Sequence, residues 1–197
     1  MKKFYLRDND LFKELGRAPS SEPLGEMPNK KQTMTKIFRE GPVGALMDEY
    51  ERAAEELKKV IKIDQQDYVA IVDNETQDLD CISIQTIMNH VVRAGYGYAN
   101  YIRKQFGDPW TERKEKYELS TPESACKELD NMLTYTVDTL KNKWELTFDD
   151  VVKNIIKTQW GQDYDFEQLL EHAIVHILRH RRQIERFLVK RQTSTFA

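Results

Sequence analysis

Three of the chain's four histidines fall in one stretch, Glu171-His172-Ala173-Ile174-Val175-His176-Ile177-Leu178-Arg179-His180, at intervals of four residues. Residues four apart on a helix share a face. Imidazoles at that spacing can reach one cation, as in helical zinc-binding histidine pairs. Neither Gly nor Pro occurs between Phe166 and Leu188, so a helix is expected there. At about 100° per residue, Phe166, Leu170, Ala173, Ile177, Ile184 and Leu188 form one apolar stripe. His180 lies about 40° from the centre of that stripe, His176 about 80° and His172 about 120°. His176 and His180 are therefore the expected inward pair, and His172 is expected to point largely outward.

Two imidazoles do not close a metal site. The remaining histidine, His90, lies on a second helical segment, beside the stripe Ile84, Ile87, Val91, Ala94 and Tyr98. Three imidazoles from two helices, with one position open, form the pattern of a catalytic metal site, because the vacancy admits water or substrate. A single helical histidine beside an apolar face is more often a hydrogen-bonded core residue. It is the clustering of all four that favours a metal.

The elements that would position these rings follow from apolar periodicity. A first helix is expected from Pro42 or Val43, with Leu46, Tyr50, Ala53, Ala54, Leu57, Val60 and Ile61 on one face. The second runs from about Ser83 to Phe106, capped by Asp80 or Ser83 and stopped by Gly107-Asp108-Pro109. Its segment Gly95-Tyr96-Gly97-Tyr98-Ala99-Asn100-Tyr101 offers small residues that admit a neighbour or leave space, with Tyr96, Tyr98 and Tyr101 as candidate linings. Ser120-Thr121-Pro122-Glu123 opens a third helix that carries Leu129, Leu140 and Trp144. Residues 145–165 form a link with a short helical piece from Asp149 to Thr158, and the turn Trp160-Gly161 precedes the last helix.

No strand alternation and no internal repeat is evident. The expected class is all-α, a helical bundle whose core can host a metal between facing helices. The expected organisation is an irregular N-terminal arm over 1–41, broken by Pro19, Pro23 and Pro28, then a helical domain over 42–191 and a tail over 192–197. The acidic run over residues 64–81 lacks EF-hand spacing and its glycine, so calcium is not expected there.

A histidine midway along the second helix, followed by His176-Ile177-Leu178-Arg179-His180-Arg181-Arg182-Gln183-Ile184 on the last, resembles the DinB/YfiT-like superfamily of metalloenzymes. The resemblance covers roughly residues 43 to 190. It implies a four-helix bundle with an up-down-down-up path and a divalent metal held by His90, His176 and His180. His172 matches no ligand position. Family members include thiol-dependent S-transferases, so the resemblance implies S-transfer or hydrolysis on a small-molecule substrate, with zinc or nickel and a low-molecular-weight thiol as cofactors. Gln183 and Arg181 are candidates to hydrogen-bond a ligand or the substrate. Arg179, Arg182 and Arg186 add to a basic patch that could hold a carboxylate. The competing expectation is a non-catalytic helical module that dimerises or binds a partner, with a structural or vestigial metal, in a stress response.

Composition limits the remaining classes. Charged residues make up 32% of the chain and net charge is −3, which disfavours nucleic-acid binding. No apolar leader and no run long enough to span a membrane is evident, and Cys81 and Cys126 suit free thiols in a reducing compartment. The expectation is a cytoplasmic protein that forms a homodimer through exposed helix faces.

Overall fold

A computed structural model describes residues 38–73 and 75–195, and the chain is mostly helical. The helices are α1 (Gly41–Ile61), α2 (Gln65–Ala70), α3 (Ile84–Phe106), α4 (Pro122–Leu140), α5 (Phe148–Lys153) and α6 (Phe166–Thr195). A single 3-10 turn, Leu79–Cys81, leads into α3. Two short strands, β1 (Ile156–Lys157) and β2 (Asp163–Tyr164), pair antiparallel between α5 and α6.

The long helices start where hydroxyl caps stand. The Ser83 side chain accepts from the Thr86 N–H, and the Thr121 side chain accepts from the Ser124 N–H, each completing a capping box. Asp80, the other candidate cap for α3, serves elsewhere. At its far end α3 stops at Gly107, whose φ of 72° is a left-handed conformation that glycine adopts without penalty.

Packing fixes how these helices sit. Helix α1 lies against α6 and α4, and α3 lies against α4 and α6. Tyr50, Leu57 and Ile61 of α1 are buried with Ile87 and Met88 of α3, Leu129 and Met132 of α4, and Phe166, Ala173 and Ile177 of α6. Each large apolar side chain buried this way contributes about 1.5–3 kcal/mol, which outweighs the small differences in helix propensity. Gly95 shows the same priority. A Cβ there would collide with the Met132 side chain, so the glycine admits α4, and this offsets its helix penalty of about 1 kcal/mol. Polar ties cross between helices: Lys58 Nζ to Asp130 at 2.5 Å, Arg103 to Asp138 at 2.7 Å, and Arg181 to Glu56.

Helix α6 runs to Thr195, since no Gly or Pro interrupts Val189 to Thr195. One expectation is corrected, in the link before α6. The short helix of the link ends at Lys153 rather than Thr158, and the chain then forms a hairpin. Strands of two residues are too short to show alternation, so sequence periodicity does not reveal them. Over residues 1–37 the expected arm lies outside the described residues. Residues 38–41 are tied down: Arg39 Nη1 bonds Asp48 at 2.5 Å and Glu51 at 2.8 Å. Among the described residues both cysteines are free thiols, and no helix is long and apolar enough to cross a membrane.

Candidate metal centre

Helix α3 presents His90, and α6 presents His176 and His180 toward it. The Nε2 atoms of His90 and His176 lie 2.9 Å apart. Ring centroids are separated by 4.8 Å for His90–His176, 4.9 Å for His90–His180 and 4.5 Å for His176–His180. One ligand nitrogen from each ring lies within 4.8 Å of the others. Three imidazoles bound tetrahedrally at about 2.0–2.1 Å hold their nitrogens roughly 3.3 Å apart, so an ion here would open the His90–His176 pair slightly and draw the wider separations in. The three histidines can hold a metal ion.

The outer nitrogens of two rings are occupied. His90 Nδ1 lies 3.3 Å from Asp80 Oδ2, and His180 Nδ1 lies 3.1 Å from Gln183 Oε1. With Nδ1–H donating outward in each case, the Nε2 lone pair faces the cluster, which is how carboxylates and amides orient metal-ligating histidines. Gln183 is itself steadied, its Nε2 donating to the Cys81 carbonyl at 3.5 Å. Asp80 also faces Arg93 Nη1 at 3.6 Å. Replacing Asp80 with Asn is expected to weaken zinc binding by about 10–100-fold while keeping one site per chain. Zinc titration against a competing chelator checks this, and unchanged affinity would remove Asp80 from the centre.

Burial sets the protonation state. His176 and His180 are 8% and 6% exposed. Burial, reinforced by His180 and His90, pushes the His176 pKa down to about 2, and burial with His90 lowers that of His180. Both rings are thus held in the neutral form that binds a cation. The same shifts fix a pH dependence for the metal-free protein. Above the unfolded value of about 6.5 both states are neutral and no dependence arises. Below it the unfolded chain takes up protons that the buried rings refuse, so stability falls progressively as pH drops toward 2. His176→Gln is expected to flatten the decline of Tm below pH 6.5. An equally steep decline in that variant would contradict the assignment.

His172 stands apart from the three. It is half-buried rather than outward. Its Nδ1 lies 3.2 Å from the Tyr164 hydroxyl, and its ring stacks on Trp160 at 6.0 Å. A cavity of about 410 Å³ opens in front of His90 and His176, with His172, Tyr98, Tyr101 and Trp160 among its walls. The β1–β2 hairpin delivers Trp160 there, anchored by the Gln159 N–H donating to the Tyr101 hydroxyl at 2.8 Å. Tyr98 meets His176 edge-on at 5.8 Å. Tyr96 turns the other way, stacking on Tyr117 and donating to Glu128, so of the candidate tyrosines only Tyr98 and Tyr101 line this space.

The arginines of α6 are not part of this cavity's wall. Arg181, a candidate from the sequence, pairs with Glu56 and Glu185. Arg179, Arg182 and Arg186 line a separate cavity of about 570 Å³ on the outer flank. The site instead contains Asp80, Arg93, Arg113 and Trp160, which sequence reasoning did not assign to it. Asp80 gave a capping signal within an acidic run, and Arg113 lies on the irregular connection between α3 and α4. No protein-family model matches the chain, and no curated protein matches it.

Proposed function

We propose that the chain is a metal-dependent enzyme of the DinB/YfiT-like type, with α1, α3, α4 and α6 as its up-down-down-up four-helix bundle. The observation that carries this reading is the convergence of His90, His176 and His180 beside a cavity. The donor set fits a divalent cation: three imidazoles, two of them oriented by Asp80 and Gln183. All-nitrogen ligation suits zinc or nickel. When bound, such a cation favours the deprotonated form of a thiol or water at its open position, which is the activation that S-transfer or hydrolysis requires.

The chain's own residues supply the rest. His90 and His176 line the cavity while His180 does not, so a small molecule entering the cavity reaches the exposed side of the cluster. Trp160, Tyr98 and Tyr101 form an aromatic wall against which the apolar part of a small molecule can pack. The test is spectroscopic. Nickel-loaded protein titrated with 2-mercaptoethanol is expected to develop a sulfur-to-metal absorption band, absent in His180→Ala. Nickel uptake with no band on adding thiol would leave hydrolysis as the reaction class. Failure to take up either nickel or zinc would refute the enzyme reading.

A further inference from the structure

The cavity in front of the histidines carries a second kind of chemistry, positive charge at its rim. Arg93, on α3 three residues after His90, is half-buried and lines it, as does Arg113 from the α3–α4 connection. Among the described residues the Arg93 Nε is buried and has no hydrogen-bond acceptor. A buried donor without a partner is costly, so this guanidinium is not fully satisfied by the protein alone. Arg113 Nη1 donates to the Arg93 carbonyl at 3.0 Å, which brings the second guanidinium to the same edge.

Gly97 explains how Arg113 gains that position. A Cβ at residue 97 would lie 2.8 Å from Arg113 Nη1. The glycine therefore leaves room for a guanidinium against the helix backbone, at a helix cost of about 1 kcal/mol. Against these two positive groups the cavity holds one carboxylate, Asp80, which already faces His90 and Arg93. Much of the remaining wall is aromatic: Tyr98 and Tyr101 each meet Trp160 edge-on, at interplanar angles of 83° and 87°.

We infer that the substrate is a small organic carboxylate with a planar apolar body, its carboxylate held by Arg93 and Arg113 and its body against Tyr98, Tyr101 and Trp160. Arginine presents a planar fork that matches a carboxylate through paired hydrogen bonds. Aromatic faces accept a planar body with little rearrangement. The inference deepens the metal-enzyme reading and rests on it for the role of the molecule as substrate, but anion recognition itself can be measured with or without metal.

The probes are 2-naphthoate and its neutral counterpart 2-naphthamide, titrated calorimetrically into metal-free and zinc-loaded protein. Naphthoate is expected to bind roughly tenfold or more tightly than naphthamide in both forms. Arg93→Gln and Arg113→Gln are each expected to weaken naphthoate by about tenfold and leave naphthamide unchanged. Trp160→Ala weakens both ligands alike. Equal affinity for the two probes, or naphthoate binding indifferent to both arginine variants, overturns the inference. If naphthoate requires zinc yet ignores both arginines, the cation is its only anchor, and carboxylate recognition fails while the metal centre stands. If zinc does not bind but the arginine dependence persists, anion recognition stands and the metal centre fails. Arg113 is exposed, so its variant tests the inference even if Arg93→Gln perturbs folding.

Discussion

Replacing His176 with Ala is expected to reduce zinc affinity by well over roughly a hundredfold. Losing an orienting partner alone costs about 10–100-fold, and His176 would contribute a bond to the ion itself. Its central place in the cluster strengthens the expectation. His176 Nε2 lies 2.9 Å from that of His90, and its ring is the neighbour of His180 at 4.5 Å. The control is His172→Ala on the same helix. That ring stacks on His176 at a centroid distance of 6.4 Å, yet it lies outside the three-nitrogen cluster. It should leave zinc affinity nearly unchanged. Equilibrium dialysis of both variants measures the contrast, with circular dichroism to show that the helices persist. Equal losses would mean that ions bind by general imidazole attraction rather than at one centre.

The second large effect concerns the scaffold. Phe166→Ala is expected to cost about 3–5 kcal/mol of unfolding free energy. Phe166 is fully buried at the first position of α6, and its ring meets Phe106 edge-on at 5.6 Å. Phe106 is the last residue of α3. The pair therefore fastens the start of the helix bearing His176 and His180 to the end of the helix bearing His90. Its loss removes apolar burial and leaves a cavity that helix ends held by other contacts refill only in part. Urea unfolding measures the loss. Phe148→Ala, at a side chain 62% exposed, should change stability by no more than about 0.5 kcal/mol. Similar values for both variants would contradict the assigned packing.

The helices and the inward histidines were legible because both depend on periodicity. The stripe Phe166, Leu170, Ala173, Ile177 and Ile184 is buried, and His176 and His180 beside it are buried too. Ser83 and Thr121 carried cap signals that the fold uses. The rest of the site depends on contacts between residues far apart in sequence. Asp80 reaches His90 across ten residues from a 3-10 turn, outside any helical register. Trp160 arrives on a hairpin too short to show alternation, and Arg113 arrives on an irregular connection. Arg181 depends on such a contact too. Its place beside His180 in sequence turns it about 100° around the helix, toward Glu56 of α1.

The most direct measurement is X-ray absorption at the zinc edge of the zinc-loaded protein. The account predicts one ion per chain with three nitrogen ligands at about 2.0–2.1 Å and the outer scattering pattern of imidazole rings. That pattern should lose one ring in His90→Ala. A shell of oxygen alone, or sulfur at about 2.3 Å from a cysteine, would contradict it.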